Sequence, residues 1–214
     1  MFTGTIPPGL GQLSFMEDLG ISNCDFTGTI PAELADFPNL LYFYLQSNVL
    51  TGTIPPQLGR LDKIFFFGLS NNALVGSIPS EIGQMARMSD MYLDANRFTG
   101  TVPVEFNQLT SLNVIRLQRN LLTGELTGRF IGSQQLLSVD FSDNRLSGNI
   151  PDDLFMLPSV QTIALSLNCF SDALPVTMCA PRNITVLSMD GLGTARHCKR
   201  EVRVPLTGVT LDNA

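Results

Sequence analysis

Glycine returns every 24 residues through most of this chain, at positions 4, 28, 52, 76, 100, 124 and 148. A fixed period of that length means that each turn of chain is one structural unit stacked on the next. Six of the glycines open a similar tetrad: Gly4 to Pro7, Gly28 to Pro31, Gly52 to Pro55, Gly76 to Pro79, Gly100 to Pro103 and Gly148 to Pro151. Further columns keep the same register. One reads Cys24, Asn48, Asn72, Asn96, Asn120, Asn144, Asn168. Three residues before it stand Ile21, Leu45, Leu69, Leu93, Leu117, Phe141 and Leu165, and five before it Leu19, Phe43, Phe67, Met91, Ile115, Val139 and Ile163. Two more apolar columns start at Leu10 and Met16. The 214 residues therefore measure turns of one architecture and do not count globular domains.

The chemistry of one turn follows from its residue types. Apolar residues at alternate positions, such as Phe43 and Leu45, mark a short strand with one face buried. Stacked turns place these strands in a parallel sheet with neighbours about 4.8 Å apart. The Asn column suits a buried amide that satisfies backbone groups of adjacent turns. Cys24 in that column reads as a small buried thiol and not as a nucleophile. The repeating Gly permits a positive φ after the strand, and Pro ends any ladder and starts a short helical turn.

The pattern L-x-L-x-x-N/C-x-L-x-G-x-I-P-x-x-L resembles the plant-type leucine-rich repeat over roughly residues 1 to 192. The resemblance implies an α/β right-handed solenoid of about eight turns, with a parallel sheet on its concave face and short helical or 3-10 segments on its convex side. It also implies a recognition module for a protein, peptide or glycan, of the kind found in receptor-like ectodomains and secreted wall-protein inhibitors. The expected placement is extracellular or at a cell surface, with an intracellular scaffold as the alternative. The solenoid is expected over 1–193, with a cap or inter-repeat insertion over 194–214, a tail weakly similar to those of diatom and algal leucine-rich repeat proteins. Because Met1 lies three residues before Gly4, the chain is expected to be an N-terminally cut piece of a longer protein.

On such a scaffold the outward strand positions carry function, since the inward columns are committed to packing. The outward columns read Asp18, Tyr42, Phe66, Asp90, Val114, Ser138, Thr162, then Gly20, Tyr44, Gly68, Tyr92, Arg116, Asp140, Ala164, then Ser22, Gln46, Ser70, Asp94, Gln118, Ser142, Ser166. All three tyrosines of the chain fall here, with Phe66 beside them. Tyr and Arg are enriched where binding energy concentrates, so Tyr42, Tyr44, Phe66, Asp90, Tyr92, Asp94, Arg116 and Asp140 are the expected ligand-binding residues. Tyr44 and Tyr92 flank Gly68, which predicts a slot of roughly 10 Å for a side chain or sugar ring. Arg116 and Asp140 are expected either to rim that slot or to pair with each other.

Several classes are disfavoured by what the chain lacks. An acidic balance of −6, with Arg60 the first Lys or Arg, opposes a nucleic-acid partner. The longest apolar runs fall far short of the ~20 residues that cross a bilayer. No signal peptide is recognisable after Met1. The single His and the absence of a nucleophile elbow, zinc pair or phosphate loop leave no expected catalytic residue, metal or cofactor. Asp90 and Asp94 lie four residues apart on one strand, about 13 Å, too far for a glycosidase pair.

Three local features remain. Cys169, Cys179 and Cys198 suggest one disulfide, Cys179–Cys198 in first place and Cys169–Cys179 in second, and Asn183 opens the only glycosylation sequon. The turn at Gly124-Glu125-Leu126-Thr127-Gly128 loses its Pro, and Ser133 replaces an apolar residue, which reads as drift or as a bend or docking notch. Lastly, Thr3/Thr5, Thr27/Thr29, Thr51/Thr53 and Thr99/Thr101 form two rows that resemble the Thr arrays of ice-binding proteins, interrupted at Val75 and Ser77.

Overall fold

The structure, a computed structural model, describes residues 2–126, 128–171, 174–179 (Cys179 by its backbone alone) and 183–192. Eight three-residue strands form one parallel sheet: Asp18–Gly20, Tyr42–Tyr44, Phe66–Gly68, Asp90–Tyr92, Val114–Arg116, Ser138–Asp140, Thr162–Ala164 and Val186–Ser188. Each strand pairs with that of the next turn, and partners such as Phe43 and Phe67 are 24 residues apart. The sequence period is thus the register of this sheet. Opposite it, the chain makes short 3-10 helices at Pro8–Gln12, Ala32–Asp36, Pro56–Arg60, Ser80–Gln84 and Val104–Gln108, and a single α-helical turn at Asp152–Phe155. Pro at the preceding cap position holds extended backbone in most of them, as at Pro79 with φ −65° and ψ 138°. The tail expected over 194–214 lies outside the described residues.

The core is one continuous cluster running the length of the stack. Phe43, Phe67, Met91, Ile115, Val139 and Ile163 are fully buried on the inner face of the sheet, as are Leu45, Leu69, Leu93, Leu117, Phe141 and Leu165. The convex column contributes Leu34, Leu58, Ile82, Phe106, Phe130 and Leu154. No turn encloses its own apolar residues; each is covered by its neighbours.

The Asn column ties the turns together. Asn96 accepts from the Leu74 N–H at 3.1 Å and donates its amide to the carbonyls of Leu69, Leu93 and Asp94. The same set recurs at Asn48, Asn72, Asn120, Asn144 and Asn168, always with an N–H 22 residues earlier and a carbonyl 27 residues earlier. Cys24 holds the first position of the column as a free, half-buried thiol directed at the Ser22 carbonyl.

A second row of short strands lies on the flank, and its register differs. Thr5 pairs with Thr27 and Ser77 with Thr99, an offset of 22 residues and not 24. These strands form separate patches, Thr3–Thr5 with Asp25–Thr27, Val75–Ser77 with Arg97–Thr99, and Thr123–Gly124 with Arg145–Gly148 and Cys169–Phe170. In this register a threonine of one sequence column pairs with one of the other column, as Thr5 does with Thr27. Their groups also have local partners. The hydroxyls of Thr27, Thr51 and Thr123 donate to the carbonyls of Gly4, Gly28 and Gly100. The methyl of Thr29 rests where a side chain on Gly52 would begin, 2.8 Å from that point, and Gly52 has φ +79°. Gly52→Ala is therefore expected to cost about 1–3 kcal/mol, from backbone strain and from the methyl contact. Chemical denaturation of Gly52→Ala alone and combined with Thr29→Ser separates the two causes, since the second variant leaves only the strain.

A positive φ recurs at a second column that sequence inspection does not reveal: Asn23, Ser47, Asn71, Ala95, Arg119, Asp143 and Leu167, all between 52° and 56°. Only Asn and Asp favour this conformation among them. Leu167 is 46% exposed, so it loses little packing when removed. Leu167→Gly is expected to raise stability by up to about 1 kcal/mol, read as a higher denaturation midpoint.

The irregular turn is held by replacements for its missing Pro. Asp153 accepts from the Gly128 N–H at 2.7 Å, and Arg129 donates from Nε to the Val102 carbonyl at 2.9 Å. Ser133 is fully buried with its hydroxyl on the Leu109 carbonyl at 2.9 Å, so its polarity is satisfied in the core. Cys169 is disulfide-bonded. Cys24 is free, so the partner is Cys179 or Cys198, and the Cys179–Cys198 bond expected in first place gives way to one that includes Cys169. Cys198 and the Cys179 side chain lie outside the described residues.

Candidate functional site

The concave sheet brings the expected aromatic residues into one contiguous strip. Strand alternation buries Phe43 and Phe67 and turns Tyr42, Tyr44, Phe66 and Tyr92 outward, where each remains half-buried. Tyr42 and Tyr44 have parallel rings, 2° apart in plane and 6.1 Å between centroids. Phe66 packs against Tyr44 at 4.5 Å on one side and against Tyr92 at 5.0 Å on the other. Arg116 closes the strip, its guanidinium lying over the Tyr92 ring at 4.7 Å.

The expected open slot between Tyr44 and Tyr92 is not there. The Phe66 ring and the Gln46 amide occupy it: a Cβ built on Gly68 lies 2.5 Å from Gln46 Nε2 and 2.7 Å from the Phe66 ring. Phe66 stands two residues before Gly68 on the same face of one strand, and its ring leans along that strand over the glycine. The surface is thus a filled aromatic platform, not a cleft. Gly68→Ala displaces two side-chain ends and no backbone, so its expected stability cost is below about 1 kcal/mol while the strip rearranges. Near-ultraviolet circular dichroism of the tyrosines, measured beside a denaturation curve, checks both halves of that expectation.

The polar rim is also partly redistributed. Arg116 forms no ion pair with Asp140, whose carboxylate accepts from the Ser142 N–H at 3.0 Å. Asp94 accepts from the Ser70 hydroxyl. Asp90 stands beside Phe66 in the strand register, and Asp18 beside Tyr42. The Tyr44 phenol is raised above its usual value of about 10, first by burial and then by the charges of Asp18, Tyr42 and Asp90. It therefore stays protonated and available as a donor at neutral pH.

Two participants escape sequence inspection. Phe65, 47% exposed, meets Tyr42 edge-on at 6.2 Å, although it precedes the strand and stands outside the three outward columns. The aromatic run Phe65-Phe66-Phe67 was the available signal. Gln46 stands in an outward column, but its position over Gly68 of the adjacent strand depends on that residue's having no side chain.

An open groove lies elsewhere, on the flank, between Thr53, Ser77, Glu81, Thr101, Glu105 and Arg129. Its walls are the repeating Thr, Ile and Pro of the scaffold, and no aromatic residue lines it. Among the described residues no three His, Cys, Asp or Glu side chains gather to hold a metal ion, and no helix is long and apolar enough to cross a membrane. Asn183 and Thr185 of the sequon are exposed, with the Asn183 amide on the Pro158 carbonyl at 3.1 Å.

The leucine-rich repeat family model matches residues 39–61 and 135–157, and the fold is the leucine-rich repeat solenoid. The chain is similar to the ectodomain of the Arabidopsis thaliana receptor kinase GASSHO1/SCHENGEN3, solved with CASPARIAN STRIP INTEGRITY FACTOR 2, at 30% identity and a TM-score of 0.83. That match covers 90% of this chain and 24% of the ectodomain. It is similar to the Arabidopsis receptor kinase HAESA ectodomain in complex with an IDA peptide hormone, again at 30% identity and a TM-score of 0.83, over 88% of this chain and 31% of that one. A plant ice-binding protein matches at 26% identity with a TM-score of 0.75, over 89% of this chain and 69% of that one. The chain spans a quarter to a third of the length of the two receptor ectodomains. No curated protein sequence matches it.

Proposed function

We propose that this solenoid is a recognition module that binds an extended peptide on its concave face, centred on Tyr42, Tyr44, Phe66 and Tyr92. The observation that carries the reading is the contiguous, half-buried aromatic strip with centroid spacings of 4.5–6.1 Å, on a sheet whose remaining outward residues are mostly small or polar. Aromatic side chains give large contact area at low entropic cost, and the rigid strands hold them in place. Asp90, Asp94, Arg116 and Asp140 surround the strip and supply orienting hydrogen bonds. The IDA peptide hormone bound to the HAESA ectodomain, which is similar to this chain, supports the same class of partner. The chain is a non-enzymatic binder in this reading, and it takes no cofactor.

An extracellular or cell-surface placement is supported by the extracellular nature of receptor ectodomains and by the disulfide at Cys169, since such bonds persist in oxidising compartments. Glycosylation at Asn183 fits that placement, its side chain being exposed.

The test is a selection from a random peptide display library against the chain. Selected peptides are expected to lose at least about tenfold in affinity on Tyr44→Ala/Tyr92→Ala, as for truncation of two hot-spot rings. Peptides that bind the double variant unchanged would refute the reading.

A second reading is ice binding by the flank, favoured by the exposure of Thr3, Thr5, Thr27, Thr29, Thr51, Thr53, Thr99 and Thr101 and by the similarity to a plant ice-binding protein. The hydroxyls of Thr27 and Thr51 already serve carbonyls of the preceding turn, which weakens it. A thermal-hysteresis measurement decides: clear activity supports this reading, and none removes it.

A further inference from the structure

We propose that the rings of Tyr42, Tyr44 and Phe66, set between Asp18 and Asp90, receive the cationic group of a basic side chain, so that the peptide bound here carries Arg or Lys. The inference rests on the concave-face reading above and specifies its ligand.

Four adjacent strands place Asp18, Tyr42, Phe66 and Asp90 in one row across the sheet. Carboxylate, ring, ring and carboxylate thus follow one another at about 4.8 Å per strand. Ring faces carry negative potential and attract cations within about 6 Å of the centroid. The strip already takes a guanidinium at its other end, where Arg116 lies over Tyr92. No Lys or Arg of the described residues lies over Tyr42 or Tyr44, and neither Asp18 nor Asp90 has an ion-pair partner. The sequence has no Lys or Arg before Arg60, and none of the outward columns from Asp18 to Asp94 contains one. The row therefore offers two uncompensated carboxylates beside half-buried rings, a surface complementary to a cation and repellent to an acidic segment. The charges of Asp18 and Asp90 reach the Tyr44 phenol, which places both within electrostatic range of the rings. A neutral sugar also stacks on such rings, but it leaves the two carboxylates without counter-charge and its binding does not weaken with salt.

The chain holds its own reporter. Its three tyrosines are all in the strip and it has no Trp, so intrinsic tyrosine emission reads this surface alone. The probes are an acetylated and amidated hexa-arginine peptide, the corresponding hexa-glutamate, and chitohexaose. Hexa-arginine is expected to change the emission saturably, with an affinity that falls as salt is added, while hexa-glutamate leaves it unchanged. Asp18→Asn/Asp90→Asn is expected to weaken hexa-arginine by about tenfold. Asp25→Asn/Asp62→Asn, which makes the same charge change at exposed sites away from the strip, is expected to weaken it less than twofold. The proposal is overturned by no saturable response to hexa-arginine, by equal weakening in the two double variants, or by an equal response to chitohexaose. Failure of the parent reading is distinguishable. Display-selected peptides that need Tyr44 and Tyr92 but carry no Arg or Lys overturn the cation proposal alone, whereas peptides indifferent to both tyrosines overturn the concave site itself.

Discussion

Asn120→Ala is expected to lower the unfolding free energy by about 2–4 kcal/mol, among the largest effects available to a single substitution in this chain. The Asn120 side-chain oxygen accepts from the buried Phe98 N–H at 3.0 Å, and its amide donates to the Leu93 and Leu117 carbonyls at 3.1 and 3.0 Å. Alanine removes these three bonds and a longer one to the Gln118 carbonyl at 3.4 Å. The Leu93 and Leu117 carbonyls keep a second donor, from Asn96 and Asn144 respectively, but the Phe98 N–H is left without a partner in the core. An orphaned buried donor costs about 1–3 kcal/mol by itself. Asn48→Ala is expected to cost less, about 1–2 kcal/mol, because its Phe26 N–H partner is only part-buried and water can replace the lost bond.

Asn120→Asp separates hydrogen bonding from packing, since the shapes match. An ionised carboxylate there faces the Leu93, Leu117 and Gln118 carbonyls, so the folded state favours the protonated acid and raises its pKa above the unfolded value. A raised folded pKa means that the variant is most stable below the unfolded carboxylate value and loses stability as pH rises through the folded one. Urea denaturation of wild type and Asn120→Asp from pH 4 to pH 8 should show a gap that widens with pH. A gap constant across that range contradicts the carbonyl-facing geometry.

Phe106→Ala is expected to cost about 3–5 kcal/mol, the range for truncating a fully buried aromatic. Phe106 fills the convex column between Ile82 and Phe130 of the adjacent turns, and its carbonyl and N–H bracket the Val104–Gln108 helix through Leu109 and Pro103. Because the stack is quasi-one-dimensional, the loss is local: the turns on either side lose a shared partner, while distant turns are untouched. Unfolding of this variant is accordingly expected to split into two transitions, where the parent shows a single one. Phe106→Leu, which supplies the residue that Leu34, Leu58 and Leu154 carry in this column, is expected to recover all but about 1–2 kcal/mol. Equal costs for Ala and Leu contradict the packing explanation.

The residues that repeat were legible, and the residues whose position depends on the flank's different pairing offset or on a missing side chain were not. The Asn column and the apolar columns recur at 24, and the concave sheet has that same register, so their roles follow from spacing alone. The flank pairs at 22, an offset that the 24-residue columns do not encode. The positive φ at Ala95, Arg119 and Leu167 is imposed by the bend after each strand on residues with no preference for it, so their types give no sign. At the site, the tyrosines and Phe66 were readable as outward positions. Their packing was not, since Phe66 leans along its own strand to fill the space over Gly68 that strand spacing leaves empty. The disulfide at Cys169 was legible only as the second of two pairings, Cys169–Cys179, since three cysteines permit more than one and their spacing does not choose.

Backbone hydrogen exchange, measured on the chain with and without a display-selected peptide, tests the concave-face site most directly. Added protection is expected at Tyr42–Tyr44, Phe66–Gly68 and Asp90–Tyr92, with no change at the flank strands Thr3–Thr5, Asp25–Thr27 and Arg97–Thr99. Protection confined to the flank or to the convex helices, with the three concave strands exchanging as before, contradicts a ligand site on the aromatic strip.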